Sequence, residues 1–342
     1  MNILFTCAGR RNYLLQFFRE ALAGRGQVFA ADASPTAPAM MEADRAFVVP
    51  RVDDPTYFDV ITALAVEHDA RLLISLNDLE LPYLAREKAR LRALGILPVV
   101  SEPWVIDTCF DKYRTARTLA EIGLAAPKTY LTLAEARAAL AAGELSYPLV
   151  VKPRWGTGSI GLEFPQDARE LELAHALVSL RLSRTIIADV SAADPARNVL
   201  IQERLPGQEY GLDIVNDLDG NHVTTFVKQK LAMRAGETDK AETVDAPALR
   251  VLGARIAAHL RHVGNLDCDV FLTPDGPVVL EMNARFGGGY PFSHIAGANL
   301  PAALLAWHAG ETPDPAWLRV TSGIIAAKCD RLVARTHVEL GW

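Results

Sequence analysis

Asp267-Cys268-Asp269-Val270-Phe271-Leu272-Thr273-Pro274-Asp275-Gly276-Pro277-Val278-Val279-Leu280-Glu281-Met282-Asn283-Ala284-Arg285 reads as two apolar strands folded back on a turn. The turn falls at Pro274-Asp275-Gly276-Pro277, residue types that reverse a chain at little steric cost. Side chains alternate across a strand, so Glu281 and Asn283 share a face, and Asp269 on the partner strand can join them. Three oxygen donors then converge. Such a hard donor set suits Mg²⁺, which keeps waters and binds through one or two carboxylates plus substrate phosphates. Arg285, on the same face, is placed to hold a transferring phosphate or an acyl-phosphate oxygen. A buried apolar hairpin rarely carries four such groups as packing, because unpaired charge is expensive there.

Upstream, Leu149-Val150-Val151-Lys152-Pro153-Arg154-Trp155-Gly156-Thr157-Gly158-Ser159-Ile160-Gly161 contains a formal G-x-G-x-x-G. A dinucleotide fingerprint must open a helix. Here Leu162-Glu163-Phe164-Pro165 follows, a short strand stopped by proline, so the expectation is a flap joining two antiparallel strands. A lysine at the strand end beside small residues suits a polyphosphate: the ammonium is a point charge and glycine lets backbone N–H groups approach. Further on, Gln202-Glu203-Arg204-Leu205-Pro206-Gly207-Gln208-Glu209 leaves an apolar strand through a polar segment. Main-chain groups near Glu203 and Leu205 can pair with a purine edge, and Glu209 can accept from ribose hydroxyls.

The chain has 342 residues, half of them hydrophobic and 22% charged, with a net charge of −6 and pI near 5.8. That length suggests about two domains. The composition excludes disordered and fibrous classes, and the acidic balance argues against nucleic acid or an anionic membrane as main partner. The four cysteines are far apart, which fits free thiols in a reducing cytosol rather than a disulfide framework. Met1-Asn2-Ile3-Leu4-Phe5 lacks a basic leader, and no segment approaches the roughly 20 apolar residues of a membrane span. A cytoplasmic location is expected.

The first hundred residues alternate apolar runs (Ile3–Cys7, Val28–Ala31, Leu72–Ser75, Leu97–Val100) with amphipathic stretches (Tyr13–Leu22, Val60–Val66, Leu79–Leu84), a βαβ rhythm that predicts a parallel sheet. Ala8-Gly9-Arg10-Arg11 ends the first strand and Asp32 the second, as in a nucleotide-binding crossover, but the second and third glycines are missing. Either backbone N–H groups with Arg10 or Arg11 meet an anion there, in a docking or substrate-facing role, or the stretch is a simple helix start. Ser75-Leu76-Asn77-Asp78-Leu79-Glu80 places an amide and two carboxylates at the sheet edge where ligands commonly bind, and capping of a helix by Asn77 or Asp78 is the alternative reading. Helices are predicted over Trp104–Phe110 and Lys112–Ile122, with a domain boundary near residue 100. From Pro148 the pattern is α+β. His259 and His262, one helical turn apart, read as a surface helix without chemistry.

Taken in order, Lys112, Val151-Lys152-Pro153 with its glycine flap, Gln202-Glu203 to Glu209, and Glu281-Met282-Asn283-Ala284-Arg285 resemble the ATP-grasp superfamily, nearest to carbamoyl-phosphate synthase large-subunit-like ligases with a single unit. The resemblance implies an α/β and α+β protein. A Rossmann-like pre-ATP-grasp domain, 1–100, precedes a two-subdomain ATP-grasp fold, 101–342, with a lid-bearing small subdomain at about 125–205 and a large one at about 206–342. It implies ATP with Mg²⁺, Mn²⁺ being able to substitute. Lys112 and Lys152, with Gly156, Gly158, Ser159 and Gly161, would grip phosphates; Gln202, Glu203, Leu205 and Glu209 would hold the nucleoside. Asp269, Glu281 and Asn283 would be the metal ligands, and Arg285 the catalytic arginine against the acyl-phosphate.

The same resemblance implies an ADP-forming ligase that phosphorylates a small carboxylate and couples it to an amine. Phosphorylation of bicarbonate or carbamate is the alternative, and a nucleotide-binding regulatory protein without ligase activity the second. This chain has one unit and no evident amidotransferase segment, which argues against carbamoyl phosphate made from glutamine. Arg234 and Lys240, in a charged loop at 234–240, are expected to close over the substrate carboxylate, and Gly288, in the Phe286–His294 loop, to help cup the anionic acceptor. Partners are small-molecule carboxylate and amine substrates; dimers are common among relatives.

Overall fold

The computed structural model describes residues 1–156 and 161–335. Its first sheet is parallel: β1 (Asn2–Thr6), β2 (Val28–Asp32), β3 (Arg45–Val48), β4 (Ala70–Ser75) and β5 (Leu97–Pro98), in the order β3-β2-β1-β4-β5. The rhythm of the first hundred residues therefore gives the expected parallel sheet, although the short β3 carried no sequence signal of its own. The helix Asn12–Leu22 buries Leu14, Leu15, Phe18 and Leu22, one stripe at helical spacing, against this sheet.

Helices Pro103–Phe110 and Lys112–Glu121 follow, close to the predicted spans. Next come β6 (Thr129–Tyr130), β7 (Leu149–Pro153) and β8 (Val199–Glu203), a three-stranded antiparallel sheet in the order β6-β8-β7. The alanine-rich helix Leu133–Ala141 starts with a capping box in which Thr132 and Glu135 bond reciprocally, and it buries Ala136 and Ala139. Beyond the flap the chain returns antiparallel to β7: the Val151 N–H donates to the Glu163 carbonyl at 2.9 Å, and the Glu163 N–H to that of Val151 at the same distance.

The largest sheet is antiparallel and holds β9 (Gln208–Asn216), β10 (His222–Arg234), β11 (Glu237–Thr243), β12 (Gly264–Thr273), β13 (Gly276–Asn283) and β14 (Ile325–Ala327), ordered β13-β12-β9-β10-β11-β14. β12 and β13 form the expected hairpin, with Asp269 opposite Glu281 and Asp267 opposite Asn283. The cores interlock. Leu4 and Leu73 of the parallel sheet belong to the same buried cluster as Leu212, Ile214, Leu266 and Cys268 of the large sheet, and Phe18 meets Phe286 edge-on at 6.0 Å. No helix of the described residues is long and apolar enough to cross a membrane.

Two local expectations are corrected. His262 lies past the end of helix Pro247–Leu260, fully buried against the Ile214 carbonyl at 3.0 Å, instead of on a surface helix; burial lowers its pKa to about 4, so it packs as a neutral ring. Asp78 caps no helix: it is buried and paired with Arg285, while the side-chain Oδ1 of Asn77 takes the Leu79 N–H at 3.0 Å. Burial of a charge is tolerated only with such a partner.

Candidate functional site

A cavity of about 940 Å³ separates the three-stranded sheet from the large one. Lys152 and Gln202 line it from one side, and Lys230, Asp269, Glu281, Asn283 and Arg285 from the other. Lys112, Gly156, Glu203, Leu205, Glu209 and Gly288 line it as well. Gly158 and Ser159 lie outside the described residues. Gly161, at φ +62°, is not on the wall; it sits over Pro153 and Val178 at the foot of the flap.

The lysines are set by their elements. Lys112 opens helix Lys112–Glu121, and its ammonium donates to the Gly156 carbonyl, tying helix to flap. Burial lowers its pKa, with Glu281, Asp78 and Asp111 opposing. Lys152, inward on β7, is lowered to about 8: burial dominates, Glu281 opposes it, and Lys112 adds to it. Below that pH the ammonium is charged and can hold phosphate; above it the charge is lost. We expect kcat/KM for ATP to be level below about pH 8 and to fall above it, and a pH–rate profile that stays flat to pH 10 contradicts Lys152 as a phosphate contact.

The flap base is braced by Asp111. Its carboxylate accepts from the N–H groups of Tyr113 at 3.0 Å and Arg114 at 3.2 Å, and from the Arg154 guanidinium at 2.7 Å. Arg154 also reaches Asp194 at 3.2 Å. Asp111→Ala removes a helix cap and leaves Arg154 without its main partner, so a loss of about 1–3 kcal/mol is expected in chemical denaturation, with a raised KM for ATP. An unchanged denaturation midpoint contradicts the bracing.

Lys230 was not singled out from the sequence. Its ammonium lies 2.6 Å from Glu209 and 2.6 Å from Asp269. Burial disfavours its charge, but the two carboxylates outweigh that and hold the pKa above the ordinary lysine value. Glu209 is thus tied to Lys230 on one oxygen instead of being free to serve a ribose alone. The signal was present in Lys228 and Lys230, two apart in an apolar strand and so on one face. Burial raises the Asp269 pKa to about 7 against the pull of Lys230, and Asp267, Glu281 and Glu209 push the same way as burial. On the opposite sheet, Gln202 is held by Thr129 at 2.7 Å, and Glu203 by the Lys128 N–H at 2.8 Å.

Glu281, Asn283 and Asp269 fit a hard divalent cation by donor chemistry, with crowded carboxylates that a cation would relieve. Among the described residues no three His, Cys, Asp or Glu side chains are grouped tightly enough to hold a metal by themselves. Two carboxylates and an amide leave coordination to be completed by other oxygens, as Mg²⁺ with phosphates prefers.

Arg285 is buried between two acids, with Nη2 2.9 Å from Asp78 and Nη1 3.0 Å from Asp267. It thereby joins the parallel-sheet domain to the β12–β13 hairpin. Nearby, Arg11 donates to the Leu76 and Phe286 carbonyls and lies 3.3 Å from Glu237, which Lys328 also meets at 3.0 Å. Arg11 is thus taken up by the protein's own carbonyls and carboxylate, and Arg10 is exposed, 4.0 Å from Asp330. Burial works against the Glu237 charge, but Arg11 and Lys328 hold its pKa at about 2.

Arg234 and Lys240 are not brought to the cavity. The expected closing loop is a β-hairpin: β10 runs into β11 through Ala235 and Gly236. Arg234 turns outward to Asp239 and Asp330, each at 2.9 Å, and Lys240 is exposed, its strand paired with Ala327. The register shifts at Ala232 and Met233, so simple alternation misassigns the faces beyond them, and Glu237 and Thr238 reach the cavity instead. The Gly287–Gly289 run is buried, not a flexible cup. A Cβ would stand 2.0 Å from Asp267 at Gly287, 2.8 Å from Glu237 at Gly288 and 2.6 Å from Lys228 at Gly289, so these glycines permit close packing.

Residues 3–100 match the family described as PylC-like, N-terminal domain, and residues 196–330 match ATP-grasp in the biosynthetic pathway with Ter operon. The chain is 26% identical over 283 residues to the carbamoyl phosphate synthase large chain of Clavibacter sepedonicus, covering 72% of this chain and 24% of that one. It thus spans about a quarter of that relative's length. Among solved structures, the biotin carboxylase domain of Hydrogenobacter thermophilus 2-oxoglutarate carboxylase, in complex with MgADP, ADP and bicarbonate, superposes with a TM-score of 0.70 at 18% identity, over 91% of this chain and 70% of that one. L-amino acid ligase from Bacillus licheniformis superposes with a TM-score of 0.67 at 23% identity, over 89% and 74%. Residues 196–330 thus belong to an ATP-grasp family, and they are preceded by a PylC-like N-terminal domain at 3–100.

Proposed function

We propose that the protein is an ADP-forming ligase that phosphorylates a small carboxylate with MgATP and couples the acyl-phosphate to an amine. The observation that carries this is the facing of Lys152, across one cavity, with Glu281, Asn283 and Arg285. In this reading Lys112 and Lys152 neutralise the phosphates, and the segment Glu203 to Leu205 lies along the base. Asp269, Glu281 and Asn283 would hold Mg²⁺, which offsets phosphate charge and orients the terminal group for in-line transfer. Arg285, kept rigid by Asp78 and Asp267, faces the oxygen on which charge develops as the carboxylate attacks. A free carboxylate resists an amine. Once it carries phosphate, the phosphate leaves and the amide forms.

Two findings support the reading from outside the chain: the similarity to L-amino acid ligase and the match to an ATP-grasp family of a biosynthetic pathway. The test is ADP release measured across a panel of carboxylic acids paired with amino acids. Acid-stimulated release that needs an amine for amide formation is expected; nucleotide binding without any acid-stimulated release refutes ligation. A second reading, phosphorylation of bicarbonate or carbamate, is favoured by the likeness to carbamoyl phosphate synthase and to biotin carboxylase. Bicarbonate-dependent ATP hydrolysis without any added acid would single it out.

A further inference from the structure

A second cavity, of about 770 Å³, opens at the carboxyl edge of the parallel sheet. There the strand order reverses direction between β1 and β4, the place where ligands of open parallel sheets bind. Of the first cavity's walls it shares Trp155, and it borders the flap brace made by Asp111, Arg114 and Arg154; none of its other residues takes part in the site described above.

The floor is built from groups that accept hydrogen bonds. Tyr57 donates its phenolic proton to Glu80 at 2.9 Å, and Glu80, fully buried, also takes the hydroxyls of Thr6 at 2.7 Å and Ser75 at 2.6 Å. With its only proton committed, the Tyr57 oxygen accepts: the Cys7 thiol, 3.5 Å away, donates to it, and one lone pair remains. Asp32, at the end of β2, takes the N–H groups of Gly9 at 3.0 Å and Ser34 at 2.9 Å, one on each oxygen. No cation stands within ion-pair distance of it among the described residues. A carboxylate offers about four lone-pair positions, so Asp32 keeps room for two more donors. The walls are different in kind: Phe110, Tyr83, Trp155 and Leu79 present rings and apolar carbon, and arginines stand among them, Arg154 over the Trp155 ring at 4.5 Å and Arg86 over that of Tyr83 at 5.7 Å.

A carboxylate at the end of the second parallel strand is the position from which such sheets hold ribose hydroxyls. What is missing is the pyrophosphate cradle. After Gly9 come Arg10 and Arg11 in place of further glycines, the helix starts at Asn12, and the Arg11 guanidinium is spent on the Leu76 and Phe286 carbonyls. Ribose and base are therefore provided for, and a dinucleotide is not.

We propose that this cavity is a second small-molecule site, which binds a nucleoside with its ribose hydroxyls on Asp32 and its base against Phe110, Tyr83 and Trp155. The proposal is independent of the reaction in the first cavity. The test is calorimetric titration of adenosine, guanosine, cytidine and uridine into protein whose first cavity is filled with a nonhydrolysable ATP analogue and Mg²⁺. At least one is expected to bind as an additional equivalent without displacing the analogue. Asp32→Asn should weaken that binding by about ten- to a hundredfold, the loss of hydrogen bonds to a charged acceptor. Leu79→Trp, which fills the cavity from its wall, should abolish it, with analogue affinity unchanged in both variants. Should Asp32→Asn not fold, because it secures Gly9 and Ser34, Leu79→Trp decides alone. The proposal is overturned if none of the four binds the loaded protein at up to millimolar concentration, if the nucleoside displaces the analogue, or if binding is undiminished in Leu79→Trp.

Discussion

Glu281→Gln is expected to lower acid-stimulated ADP release about a thousandfold and to leave the fold intact. The substitution keeps side-chain volume and one acceptor oxygen but removes the charge that, opposite Asp269 on the paired strand, would anchor a divalent cation. Losing that anchor costs on the order of 4 kcal/mol of transition-state stabilisation, which is a factor of about a thousand. Stability should move the other way if it moves at all. Glu281 is one of three carboxylates that, together with burial, push Asp269 up to about 7, so removing it relieves repulsion among buried acids. The thermal midpoint should therefore be unchanged or slightly raised while turnover is lost. A secondary effect follows from the lysines: Glu281 supports the charge of Lys112 and Lys152 against burial, so residual activity should fail at lower pH than in the parent protein. Full turnover in this variant removes the metal assignment.

The hairpin from Asp267 to Arg285 was legible because its information is local. Period-two alternation and a turn of proline, aspartate and glycine are enough to give the hairpin and to put Glu281 and Asn283 on one face, but the direct opposition of Asp269 to Glu281 depends on a register shift between Asp269 and Val270 that no local pattern marks. The βαβ rhythm was legible for the same reason. The substrate side was not. Arg234 and Lys240 are expected at the site from their charge and from the resemblance to ligases with a closing loop, but a register shift near Ala232 changes which faces turn inward, and no sequence pattern marks it. The pairing of Asp78 with Arg285, and of Arg11 with Glu237, joins residues about two hundred positions apart. Partner choice over that distance is fixed by how the domains pack, which local pattern does not encode. The glycine run at 287–289 shows the same limit from another side, since only the crowding by Asp267, Glu237 and Lys228 says that these glycines serve packing and not flexibility.

Arg285→Met should both destabilise the protein by about 3–5 kcal/mol and abolish turnover, and the two losses can be separated. The destabilisation comes from what stays behind. Asp78 and Asp267 lose the guanidinium that lies 2.9 Å and 3.0 Å away, and a buried carboxylate without its cation is costlier than the ion pair was favourable. Asp78 belongs to the parallel-sheet domain and Asp267 to the large sheet, so the effect should appear as easier separation of the two in denaturant. Adding Asp78→Asn to Arg285→Met removes one uncompensated charge and should recover a good part of the lost stability, giving an interaction energy of opposite sign to the single effects. Turnover should not recover, because the charge facing the attacking carboxylate is still absent. A double variant that regains activity along with stability would make Arg285 a clamp between domains and nothing more. A single variant as stable as the parent would mean that its acids are solvated after all, and that the close packing of the two sheets around Arg285 does not exclude water.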